Sequence, residues 1–191
     1  MKLFLIDAIG PFFRGSSERR INWSKIPFAR LNLAEEARRD QFDQIGRDLR
    51  VFAAKARAVG YNAATLDDVA HLADHPWYEP EVRAHIRILR GEFRGLFRIV
   101  RDEGMAVYLT MDVLSYTPAL KARIGKDQGS INRFLCELLA GLLADFPEIS
   151  GVIVRIGESD GRDVKDLFRS ELSIRTRSEE HTSELQSHHD L

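Results

Sequence analysis

The same succession of features occurs four times along this chain: a short apolar run, an acidic residue at its end, a loop, and a long amphipathic segment leading to the next run. The four runs are "LFLID", "YNAATL", "MAVYLTMD" and "GVIVRIG". They end in, or are followed by, Asp7, Asp67 with Asp68, Asp112, and Glu158. Between them the first helix is expected over about Leu33 to Val59, with Leu49, Phe52, Ala53 and Ala56 at helical spacing and Gly60 just past its end. Pro80 and Glu81 open the second helix, which ends at Gly104, and "SINRFLCELLAGLLADF" supplies the third, with Ser130 as its N-cap. Strands alternating with long helices at this spacing argue for right-handed βαβ units and a parallel sheet.

Parallel α/β chains form open doubly wound sheets or closed barrels. An open nucleotide-binding sheet calls for a glycine-rich phosphate turn after its first strand; here "DAIGPFFRGS" follows, with neither G-x-G-x-x-G nor G-x-x-x-x-G-K. That favours a (β/α)₈ barrel of the TIM type. Such a barrel takes about 200 to 250 residues, and only about four βα units fit in this chain. The expected fold is therefore α/β, the first half of a (β/α)₈ barrel, truncated, over residues 1–176, with strands near 2–7, 61–66, 105–112 and 151–157. The partner it lacks is the C-terminal half of its own barrel.

Residues 177–191 show no apolar periodicity. The stretch "RSEEHTSELQS", Arg177 to Ser187, resembles the translation of a common sequencing-library adapter, residue for residue. That resemblance implies a non-native, disordered tail, the natural sequence stopping near Arg175 or Thr176.

Charge and composition narrow the function. The 28 basic residues against 29 acidic ones leave a formal charge of -1, so no electrostatic footprint for nucleic acid or an anionic membrane is expected. Asp7 interrupts the first apolar run and no cleavage site follows, which argues against a signal peptide and for a cytoplasmic chain, or one lacking its true start. The single cysteine, Cys136, reads as a small buried hydrophobe.

In barrels of this class the site is built at the carboxyl ends of the strands, where this chain repeatedly carries acids. One acid after a strand is ordinarily a helix cap or a solvated carboxylate; four at equivalent ends raise the expectation that some touch substrate. In "AVYLTMD" the polar Tyr108, Thr110 and Asp112 share one parity, as a site-facing set should. Arg155 in the fourth strand would need a carboxylate partner such as Asp112. "LDD", "MDV" and "GES" after strands two to four, in this architecture, resemble the (β/α)₈ glycoside hydrolases, especially those whose general acid is a glutamate just after the fourth strand. Gly157 stands where many members carry asparagine.

The resemblance implies cleavage of a glycosidic bond by two carboxyl groups, one protonating the leaving oxygen while the other attacks or activates water. Glu158 would be the general acid/base, with Asp7, Asp67, Asp68, Asp112 and Arg155 binding a carbohydrate substrate and Trp23, Trp77 and Tyr78 stacking on sugar rings. The alternative for these aromatics is packing against the barrel rim. No cofactor or metal is called for, and the chain alone, without the second carboxylate, is expected to be inactive. Two other readings compete: a metal-dependent sugar isomerase or epimerase using Glu158 and Asp112 with His71 or His75, and a non-catalytic carbohydrate-binding barrel.

Overall fold

The structure, a computed structural model, describes residues 2–8, 34–111, 118–125 and 127–154. These residues form β1 (Leu5–Asp7), α1 (Glu35–Ala58), β2 (Ala63–Asp68), α2 (Val69–Leu72), α3 (Pro80–Asp102), β3 (Ala106–Met111), α4 (Pro118–Ile124), α5 (Gln128–Asp145) and β4 (Ile149–Val154). The strands make one parallel sheet in the order β1-β2-β3-β4, so chain order and spatial order coincide. The chain is thus α/β, with a long helix in each of the three crossovers.

Local sequence explains where the first two long helices stop. After α1 the Gly60 N–H reaches the Arg57 carbonyl and the Tyr61 N–H reaches that of Ala56, both at 3.1 Å. After α3 the pattern repeats: Gly104 N–H to Arg101 (2.8 Å) and Met105 N–H to Val100 (3.2 Å). Each helix therefore ends in a Schellman turn whose glycine takes a positive φ, 104° at Gly60 and 71° at Gly104, which a side chain would oppose. Glu35 and Glu36 in the first turn of α1, with Lys55 and Arg57 in its last, complement the helix dipole.

The third helix begins one turn earlier than its sequence suggests. Asp127, not Ser130, is its N-cap: an Asp127 carboxylate oxygen accepts the Ser130 N–H at 2.7 Å, which brings Gln128 and Gly129 into α5. On this helix the buried positions are Ile131, Phe134, Leu135, Leu138 and Leu142. Cys136 falls between those stripes and is exposed, so the expectation of a buried cysteine is corrected.

One face of the sheet carries the core. Ala64 and Leu66 of β2, Val107, Leu109 and Met111 of β3 and Ile149 of β4 pack in a single cluster with Phe42, Ile45 and Leu49 of α1, Ile86, Leu89, Phe93 and Phe97 of α3, and Phe134 and Leu138 of α5. Ile6 and Val152 lean on the same cluster. Phe93 meets Phe42 edge-on at 5.4 Å and Phe97 at 6.2 Å. Fully burying each such side chain contributes about 1.5–3 kcal/mol. The opposite parity, Ala63, Thr65, Ala106, Tyr108 and Thr110, forms the second face; Ala63 is fully buried and yet lies outside the core cluster.

Arginines of α3 tie the layers at the amino-terminal end of β4. Arg94 donates to the Asp145 carbonyl at 2.6 Å, and Arg90 reaches the Asp145 carboxylate at 2.9 Å. Both guanidinium groups lie over the Phe146 ring, at 5.5 Å for Arg90 and 4.6 Å for Arg94. They thereby occupy the carboxyl end of α5, where the helix dipole favours cations.

Candidate functional site

Register aligns Asp7 of β1 with Thr65 of β2 and Thr65 with Tyr108 of β3, which in turn is level with Gly151 of β4. This row crosses the second face of the sheet at the last residue of β1 and the third residue of each of the other three strands. The Thr65 hydroxyl donates to an Asp7 carboxylate oxygen at 3.1 Å. Asp7 is exposed while Thr65 is 3% exposed, so a buried hydroxyl orients a solvent-accessible carboxylate. Tyr108 lies flat across β4: a Cβ placed on Gly151 would meet its ring at 2.7 Å. Gly151 is required by that close approach.

A bulge decides between the two aspartates of β2. Pairing runs Thr65 with Tyr108, then Asp67 with Leu109 and Asp68 with Thr110, so Leu66 is surplus to the ladder. In a regular ladder Asp67 would have stood level with Thr110. The bulge brings Asp68 there instead. A second irregularity, between Val107 and Tyr108, gives β4 a surplus residue against β3.

Trp77 and Tyr78 occupy the loop after α2, within an aromatic cluster on α5. Trp77 is half-buried and stacked on Phe134 at 5.7 Å with an interplanar angle of 17°; Tyr78 is buried and meets Phe134 edge-on at 6.0 Å. Burial raises the Tyr78 hydroxyl far above its ordinary pKa, assisted by Asp74 and Glu79. His75 fills the centre, 4.6 Å from the Phe134 ring and 5.0 Å from that of Trp77. Its Nδ1 accepts the Trp77 N–H at 3.2 Å and its Nε2 lies 3.7 Å from a Glu137 carboxylate oxygen. Burial lowers the pKa of His75, and Glu137 only partly opposes that. Beside it Asp74 accepts two bonds from Arg83, at 2.8 and 3.0 Å. Burial alone would raise the Asp74 pKa, but the Arg83 hydrogen bonds and charge outweigh it and hold the carboxyl below its usual range.

The structure thus brings Asp7 together with Thr65, sets Asp68 level with Thr110, and packs Trp77 and Tyr78 into the rim. Trp23, Asp112, Arg155 and Glu158 lie outside the described residues, as does the tail at 177–191. Of the histidines weighed for a metal, His71 is fully buried in α2 and His75 faces Glu137; among the described residues no three His, Cys, Asp or Glu side chains converge as a cation site. Two groups escaped the sequence reading. Thr65 was hidden inside an apolar run, its only signal being its parity with Ala63. The His75 and Glu137 contact joins residues far apart in sequence, and nothing in either segment announces it. Among the described residues no helix is long and apolar enough to cross a membrane. No protein-family model, no curated protein and no solved structure matches this chain.

Proposed function

We propose that the chain supplies four βα units of a (β/α)₈ barrel that cleaves glycosidic bonds. One observation carries the reading: parallel strands in sequential order, with the described helices cored on one face and a carboxylate and hydroxyls in register on the other. A doubly wound sheet reverses strand order at its switch point and places helices on both faces. Sequential order with one-sided helices is the geometry a barrel wall requires. The row of Asp7, Thr65 and Tyr108 is suited to the hydroxyls of a sugar, since it offers acceptors and hydroxyl donors side by side.

In this reading Glu158 is the acid that protonates the leaving oxygen, and the second carboxyl group comes from a later strand of the complete barrel. Asp7 holds a substrate hydroxyl, oriented by Thr65, and Asp68 and Asp112 continue the rim. Arg155 pairs with a rim carboxylate, and Trp23 provides the open stacking surface, because one ring face of Trp77 is already covered by Phe134.

The test uses the full reading frame and an aryl glycoside. Glu158→Gln is expected to lower kcat by at least about a hundredfold, in line with loss of general acid catalysis. Asp7→Asn is expected to raise KM roughly tenfold, about 1.4 kcal/mol, with a smaller change in kcat. Wild-type hydrolysis by Glu158→Gln removes Glu158 from the acid role, and activity abolished by chelation with Glu158→Gln unaffected favours a metal isomerase.

A further inference from the structure

The loop 73–79 joins α2 to α3 and is held on three sides. Towards α3, Asp74 accepts its two hydrogen bonds from Arg83. Towards α4, a Glu79 carboxylate oxygen accepts the Ala119 N–H at 2.9 Å, and the Arg123 guanidinium lies 5.9 Å from the centre of the Trp77 ring. Towards α5, Trp77 and Tyr78 both pack on Phe134. His75 stands where these contacts meet. It is 8% exposed, with the rings of Phe134, Trp77 and Tyr78 at 4.6, 5.0 and 6.5 Å.

The two imidazole nitrogens have unlike roles. Nδ1 accepts the Trp77 N–H at 3.2 Å, so it carries no proton of its own. The one proton of the neutral ring is therefore on Nε2, the nitrogen 3.7 Å from a Glu137 carboxylate oxygen. A further proton has only Nδ1 to occupy. There it turns an acceptor into a donor that faces another donor, and the Trp77 N–H loses its partner in a part-buried place. The charges around the ring do not remove this conflict. Glu137 of α5 favours the imidazolium, but its side chain is 53% exposed. Asp74 favours it too, yet Asp74 is engaged by Arg83 of α3, whose own charge opposes. Glu79 is turned to α4 through Ala119, Arg123 of α4 sets a positive charge over Trp77, and the Tyr78 hydroxyl stays neutral. Burial prevails, and the ring resists protonation.

We propose that His75 is a proton-operated latch on the loop 73–79: neutral, it holds the loop against α4 and α5; protonated on Nδ1, it releases Trp77 and lets the loop lift from Phe134. Both ends of the loop stay anchored, because His71 and Leu72 of α2 and Ile86 of α3 are fully buried, so the opening is local. The loop follows Asp67, Asp68 and α2 directly. Its release therefore reshapes the rim at the carboxyl end of β2 and bares an aromatic surface there. The latch stands on the contacts of this loop and holds whatever reaction the rim serves.

Amide hydrogen exchange on the purified chain, read by mass spectrometry and corrected for the intrinsic pH dependence of exchange, tests this. In the open loop the imidazole titrates near its ordinary value of 6.5, and in the closed loop below it. Opening is thus least above pH 6.5 and grows as pH falls through that value towards the closed-loop pKa. Between about pH 7.5 and about pH 5.5 the opening constant of 73–79 is expected to rise several-fold, with a ceiling of about tenfold, while peptides of α3 keep their protection. His75→Asn offers a side-chain oxygen where Nδ1 stood and takes up no proton. Its loop should exchange at a rate flat in pH, whether it sits tighter or looser than in wild type. Wild-type exchange at 73–79 that is flat over this range overturns the latch. An acid response that persists in His75→Asn overturns it as well, by assigning the response to another group. Loss of protection in α3 in step with the loop also overturns it, since the whole chain then unfolds together.

Discussion

At the scale of single residues, the closest contact on the second face is that of Tyr108 over Gly151. Gly151→Ala is expected to destabilise the chain by about 1–3 kcal/mol, the range for overpacking a filled site. Tyr108→Ala removes the ring that the new methyl would strike. In the double variant the Gly151→Ala penalty should therefore largely vanish, which a denaturant-based double-mutant cycle would read as a favourable coupling. Additive effects would mean that the ring is not the obstacle.

Two ionisable residues beside the rim set opposite ends of the acid response. The His75 pKa is lowered by burial, so above 6.5 the imidazole is neutral in folded and unfolded chains alike and its environment has no pH effect. Below that value the unfolded chain takes up a proton that the folded chain resists, and stability falls. Removing Glu137, which pulls the pKa back up, should extend the loss to lower pH; urea midpoints of Glu137→Gln between pH 5 and 7 would show a steeper decline than wild type. Asp74, held below 3.8 by Arg83, contributes fully above that value and loses its contribution only as pH falls through the depressed range. Its variant Asp74→Asn should flatten the stability profile below pH 4 and leave the profile near neutrality parallel to wild type.

Among elements, the helix-to-strand turns are the most legible in the sequence, because G-Y and G-M spell a left-handed glycine followed by an apolar residue that returns to the helix. Gly104→Ala is expected to cost about 1 kcal/mol through its positive φ, and the same substitution at Gly91, inside α3 with open space around it, should be neutral to stabilising by a similar amount. A loss at both sites in thermal melts would contradict the Schellman assignment. Periodicity also located the three long helices and the four strands, since burial on one face imposes 3.6 and 2 as repeats. The bulge at Leu66 was not legible: Ala63 to Asp68 reads as an unbroken strand, and only pairing with β3 shows that one residue is surplus. Short α2 and α4 escaped because one or two turns are too brief for a periodic pattern. The Asp127 cap escaped because Ser130 and Asp127 are both good caps, and the geometry of the loop decides between them.

For the molecule as a whole, alternation of strands and helices announced a parallel sheet, and the structure adds what composition cannot, namely that strand order is sequential and that the described helices core one face. The aromatic residues of the rim were legible as loop residues and not as partners, because Trp77 finds Phe134 across more than fifty positions of chain.

Cys136 gives these questions an optical handle. It is the chain's one sulfhydryl, it faces solvent, and it lies next in sequence to Glu137, the residue opposite His75. A maleimide dye therefore attaches at a single known place without entering the apolar interior. Quenching of that dye by Trp77, which stacks on Phe134 two positions earlier in the helix, would report whether the rim aromatics loosen on acidification.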